Sequence, residues 1–189
     1  MFGAAERRQL TVLFCDLVGS TRLAEDLDLE DLRSILATYR STCSEIVARH
    51  DGTVMQFLGD GINVMFGYPV AYEHSTGNAV RAAIAMLAAI NGGNSELSSL
   101  NVTLNLRIEI NTGQVVVGSD GAGALGEQLS VIGEVPNLAA RLQGVAQPGQ
   151  IVVSKSTYQL TRELFDYTEL GARSLRGFSK PVSCFAAYW

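Results

Sequence analysis

Cysteine is scarce in this chain of 189 residues: Cys15, Cys43 and Cys184 are the three present. An odd number without zinc-type pairing argues against a disulfide framework, and the three read as buried thiols of a reducing compartment. Positive charge is also short, with 14 Lys and Arg against 19 Asp and Glu and a net charge of −5. Lacking a basic field, the chain is not expected to bind nucleic acid. Long apolar runs are missing too: "AVRAAIAMLAAI" is interrupted by Arg81 and is too short to span a bilayer. The opening "MFGAAERRQ" is polar and charged, unlike a secretory signal. No internal repeat or low-complexity linker appears. What remains is 47% hydrophobic and only 17% charged, the balance of a globular chain. These features predict one cytoplasmic domain over residues 1–189, with no membrane segment.

Periodicity sets out the elements. Residues 10–16 are apolar except Thr11 and Asp16, as for a strand buried on both faces. Ser20 or Thr21 is placed to cap the helix that follows. Leu29, Leu32, Leu36, Tyr39, Cys43, Ile46 and Val47 recur at helical spacing over 29–49. "HDG" ends that helix, with Gly52 expected in the left-handed position. "TVMQFLGDGINVMFG" reads as a hairpin about Gly59-Asp60-Gly61. A helix over 73–91 follows, then a second hairpin, 102–111 with 114–118, about Asn111-Thr112-Gly113. A Gly-rich loop, a helix over 134–145, a strand in "QPGQIVVS" and short strands after 164 complete the order. The expected fold is α+β, a ferredoxin-like sandwich whose mainly antiparallel sheet carries helices on one face.

Three groups of residues carry candidate chemistry. If the first strand pairs with the first hairpin, Asp16 and Asp60 share a sheet end. Two carboxylates there repel unless a cation lies between them, and oxygen ligands without His or Cys favour Mg²⁺ or Mn²⁺. The competing reading makes Asp60 a turn residue and Asp16 a strand exit. The amides of Gly19, Ser20 and Thr21 open a helix, where phosphate oxygens are favoured, although the P-loop lysine and spacing are absent. Asn137 and Arg141 are four apart, so both leave one helix face. A guanidinium suits a phosphate whose charge rises during transfer, and an amide can orient a ribose. A merely solvated face is the alternative.

In order along the chain, "LTVLFCDLVGST", "DGTVMQFLGDGINVMFGYP", "RIEINTGQVVVG", "VIGEVPNLAARL" and "PGQIVVS" resemble the catalytic domain of bacterial class III nucleotidyl cyclases, the adenylate/guanylate cyclase family. The resemblance covers about residues 8–188. It implies a two-metal enzyme using Mg²⁺ or Mn²⁺ to form cyclic nucleotide and pyrophosphate. On that resemblance Asp16 and Asp60 are metal ligands, and the Leu17 carbonyl completes a shell. Asn137 orients the ribose, Arg141 stabilises the transition state, and Arg176 in "LRGF" grips terminal phosphates. Family sites lie between two catalytic domains, so a homodimer with shared sites is implied. Any regulatory domain would lie outside this chain.

Three departures stand out. Gln56 replaces the family's adenine-reading lysine, and Ser130 replaces its Asp or Thr partner. Both can donate or accept, so residue type alone leaves adenine and guanine open. Glu109 stands where glycine is usual, either reshaping the sheet or pointing to solvent. The expected activity is an adenylate cyclase acting on ATP, since that activity predominates among bacterial relatives of this pattern. A guanylate or dual-specificity cyclase, or a weak or silent cyclase-like module that dimerises and senses nucleotide, is the alternative. The related diguanylate cyclases are disfavoured, because "FLGDGIN" stands in place of their G-G-[DE]-E-F hairpin.

Overall fold

The computed structural model describes residues 6–91, 103–123 and 126–188, with backbone pairing alone for 119–123 and 126–130. The elements run β1 Glu6–Val18, α1 Ser20–Asp26, α2 Leu29–Arg49, β2 Gly52–Leu58, β3 Gly61–Phe66 and α3 Ser75–Asn91. They continue through β4 Asn105–Gly123, β5 Gly126–Ile132, α4 Glu134–Leu142, β6 Gln150–Ser154, α5 Lys155–Thr161, β7 Asp166–Arg173 and β8 Val182–Tyr188. The strands form one sheet in the order β2-β3-β1-β4-β6-β8-β7, with β5 also on β4. Only the β4–β6 pair is parallel among these described strands.

Side-chain alternation along β1 divides the core between two faces. Leu13, Cys15 and Leu17 pack with Ile35, Tyr39 and Cys43 of α2 and Val80, Ala83 and Met86 of α3. Leu10 and Val12 point the other way, onto Val135 and Ala139 of α4. The expected one-sided cover is supplied by the two long helices, while the short α4 lies on the opposite face. Leu29 opens α2 at 76% exposure instead of joining its buried stripe, to which Ile35 is added. The three cysteines are free and buried, as their number implied.

The second expected hairpin does not exist. β1 pairs without interruption through Val12↔Asn111, Thr11↔Thr112 and Leu10↔Gly113, so β4 continues where a turn was read. The residues that resemble turn formers make interior contacts instead. Asn111 Nδ2 donates to Val135 O at 3.0 Å, and the Thr112 hydroxyl meets those of Thr11 and Thr157 at 2.9 and 3.0 Å. Gly113 clears α4, because a Cβ there would come within 2.8 Å of Val135 Cγ2. Beyond that point β4 pairs with β5, which begins inside the segment read as a Gly-rich loop.

Two turn assignments also shift by one residue. Asp51, not Gly52, adopts φ 60 after α2. Gly52 starts β2, where a Cβ would lie 2.6 Å from the Phe66 ring and 2.8 Å from Val47. Likewise Gly19, at φ 78, occupies the cap position of α1, and neither Ser20 nor Thr21 caps it. The helix α5 was not foreseen; Ser154 caps it by accepting from the Thr157 amide.

Candidate active site

Antiparallel register carries the two carboxylates to one end of the sheet. Cys15 on β1 lies opposite Ile62 on β3, so Asp16 and the Gly59-Asp60-Gly61 turn follow at the same edge. Asp16 is 8% exposed and ion-pairs with Arg107, its partner across the β1–β4 register. A carboxylate this buried requires such a partner. Asp60 accepts from Ser20 Oγ at 2.5 Å, which ties α1 to the hairpin. Arg40 of α2 donates to the Gly59 carbonyl beside it. Asp60 is therefore a turn residue whose carboxylate is also held in place. The Leu17 side chain is buried in the core, which leaves its backbone as the polar group on offer.

This donor set fits a hard divalent cation. Both side chains offer oxygen, and no group of three or more His, Cys, Asp or Glu forms a closed cage among the described residues. Two protein carboxylates with the remaining positions left to carbonyl, water and phosphate oxygens suit Mg²⁺ or Mn²⁺ bound together with a substrate. Ser20 has its hydroxyl committed to Asp60, while Gly19 and Thr21 flank it at the start of α1.

Glu109 does not point to solvent. It is 0% exposed on β4 opposite Phe14, with both carboxylate oxygens buried and unpaired. Burial pushes its pKa up to about 8, with Arg107 opposing the shift and Asp16 adding to it. Glu109 is therefore mainly neutral at pH 7.

On the α4 face, Gln56 lies exposed on β2 directly across from Asn63 on β3. Both line a groove of about 570 Å³ with Val12, Met65, Tyr68, Val131 and Pro136. Ser130 neighbours Val131 and pairs through its backbone with Gly118; its side chain lies outside the described residues. Asn137 and Arg141 are exposed on α4, whose buried stripe is Val135, Ala139 and Leu142. Asn137 Nδ2 donates to Gly133 O at 3.4 Å. Arg141 lines a second groove, of about 590 Å³, and meets the expected Arg176 there together with Arg173 and Gln143. Neither carboxylate lines that groove.

Sequence reasoning missed Arg107, Asn63 and Arg173. The first two had a visible signal, since a polar residue inside an apolar strand needs a partner. Arg173 had none, because its position depends on how β7 meets the α4 side.

The family model for the adenylate and guanylate cyclase catalytic domain matches residues 3–188. The chain belongs to this family. Adenylate cyclase 1 of Rhizobium meliloti (strain 1021) is 30% identical to this cyclase domain over 185 residues, covering 96% of the chain. The match spans only 28% of that relative's length. Among solved structures, the adenylyl cyclase CyaB from P. aeruginosa superposes with a TM-score of 0.93 at 32% identity, covering 99% of this chain and 97% of that one. The guanylyl cyclase Cya2 gives 0.88 at 29% identity, covering 98% and 94%. Cyclases named for either purine thus share this fold, so the fold alone does not select the base.

Proposed function

We propose that this cyclase domain converts ATP to cyclic AMP and pyrophosphate, using two Mg²⁺ or Mn²⁺ ions at sites shared between two copies of the chain. The supporting observation is the partition of its side chains. Asp16 and Asp60 gather at one sheet end, whereas Arg141 and Arg176 line a groove that holds neither carboxylate. In a two-fold dimer a second copy would supply each half with its complement.

Asp16, steadied by Arg107, and Asp60, steadied by Ser20, would hold the ions together with the Leu17 carbonyl. Divalent ions held there would supply positive charge to acidify the ribose 3′-hydroxyl and to offset charge on the α-phosphate and the departing pyrophosphate. The amides of Gly19, at the cap of α1, and of Ser20 and Thr21, in its first turn, would meet phosphate oxygens. From the partner copy, Asn137 orients the ribose and Arg141 meets the charge that develops on the phosphoryl group. Arg176, with Arg173 beside it, grips the terminal phosphates. Gln56 and Ser130 meet the base.

The test is incubation of purified protein with ATP or GTP and Mn²⁺, followed by separation of products. Cyclic AMP should form, and excess chelator should abolish it. Asp16→Ala and Asp60→Ala should each stop turnover while preserving a cooperative melt. Cyclic product in excess chelator would sink the metal reading. A dual-specificity cyclase is the second reading, favoured by the exposed, reversible amide of Gln56. Comparable cyclic GMP formation would establish it.

A further inference from the structure

Asp60 stands on a loop that has little of its own to hold it. Gly59 and Asp60 are the two residues beyond the last β2–β3 pair, Leu58↔Gly61. Gly59 takes φ 60, and outside its chain neighbours no atom lies within 4 Å of where its Cβ would be. Phe57 and Leu58, which lead into the loop, are both exposed. With glycine on each side of Asp60 and so little packing against Gly59, the turn is soft.

Two contacts steady it. Ser20 Oγ donates to the Asp60 carboxylate at 2.5 Å, which fixes the side chain. Arg40 donates to the Gly59 carbonyl, in the peptide unit that carries the Asp60 nitrogen, which fixes the backbone. The same guanidinium lies over the Phe57 ring, 5.3 Å from its centroid. Arg40 is in the middle of α2, a helix seated in the core through Ile35, Tyr39 and Cys43, so its mount is rigid. Its Nε is buried without a partner, a cost that calls for an explanation. We propose that Arg40 is a positioning residue for the reaction, tying α2 to the Gly59-Asp60 turn so that the Asp60 carboxylate is held ready for a divalent cation. By charge alone a guanidinium beside such a site would weaken cation binding, so the hold it exerts is what explains it there. Partners that orient a metal ligand commonly set metal affinity over a ten- to hundredfold range, about the effect expected of this one. This assignment rests on the nucleotide-cyclase reading above.

Wild type, Arg40→Met and Arg40→Lys are titrated with Mn²⁺ in two ways. One follows the rise in melting temperature in the presence of 3′-deoxy-ATP, which lacks the hydroxyl needed to cyclise. The other follows cyclic product from ATP. In Arg40→Met both titrations should need about tenfold more Mn²⁺, and excess Mn²⁺ should recover most of the product. Arg40→Lys keeps a donor and should fall between the two. Arg40→Ala takes the place of the methionine variant if that one does not fold. A variant that titrates like wild type, even if it melts lower without metal, has lost only a structural contact and overturns the assignment. Tighter Mn²⁺ binding in Arg40→Met, as loss of a repelling charge alone would give, overturns it too. Wild type that shows neither a melting shift nor cyclic product would instead overturn the cyclase reading itself.

Discussion

Glu109 places an ionisable group where neither water nor a donor reaches it, and this has a definite sign. Its pKa rises from 4.5 to about 8 on folding, so the folded state holds the proton more tightly than the unfolded chain. Below pH 4.5 the group is neutral in both states and costs nothing through ionisation. From there to about pH 8 the penalty grows, and above that it is fully present. Its size is of order a few kcal/mol at 1.36 kcal/mol per unit. Glu109→Gln removes the ionisation and nearly preserves the shape. In metal-free protein the variant should therefore match wild type near pH 4.5 and melt progressively higher above it, with the gap levelling off beyond about pH 8. Melting curves across pH 5–9 check this, and parallel curves would show that Glu109 finds a partner.

At the scale of elements, the α2–β2 junction shows how a close approach outweighs turn chemistry. Asp51 takes the positive φ, and its carboxylate accepts from Asn78 of α3 at 3.2 Å. Gly52 is needed for space, not for conformation. Gly52→Ala drives a methyl into the Phe66 ring and Val47, both in the core. The expected cost is about 1–3 kcal/mol, the usual range for overpacking. A urea midpoint shifted downward with an unchanged slope would bear this out. Asp51→Gly relieves the positive φ but loses the link to α3, so its effect should be smaller.

For the whole molecule, the division of functional groups between two surfaces predicts complementation. On the shared-site proposal, Asp16→Ala damages the metal half of each site and Arg141→Ala the cationic half, so each homodimer should be inactive. In an equal mixture with free exchange, about half the dimers are mixed, and each rebuilds one intact site of two. Cyclic product should recover to about a quarter of wild type. No recovery, with exchange verified by sedimentation of tagged subunits, would place all the groups in one chain.

Much of this arrangement was legible because it depends on local chemistry. The β2–β3 hairpin follows from Gly59-Asp60-Gly61 between strand-like runs, and α2 from a 3.6-residue apolar stripe. The span of α2, 29–49, agrees with the sequence reading. The nomination of Asp16, Asp60, Asn137 and Arg141 likewise needed only residue type, spacing and the resemblance they carry. Tertiary structure decided what depends on partners distant in sequence. Asn111-Thr112-Gly113 reads as a turn by composition, yet Thr11, Val135 and Thr157 satisfy or crowd it into a continuous strand. Arg107, a polar residue in an apolar strand, signalled the need for a partner, but not that Asp16 is that partner, because the two are 91 residues apart and meet only through β1–β4 register. Glu109 could face water or the interior until the sheet and its covering elements closed over it. In each case the residue had two locally acceptable states, and burial against a remote element removed one of them.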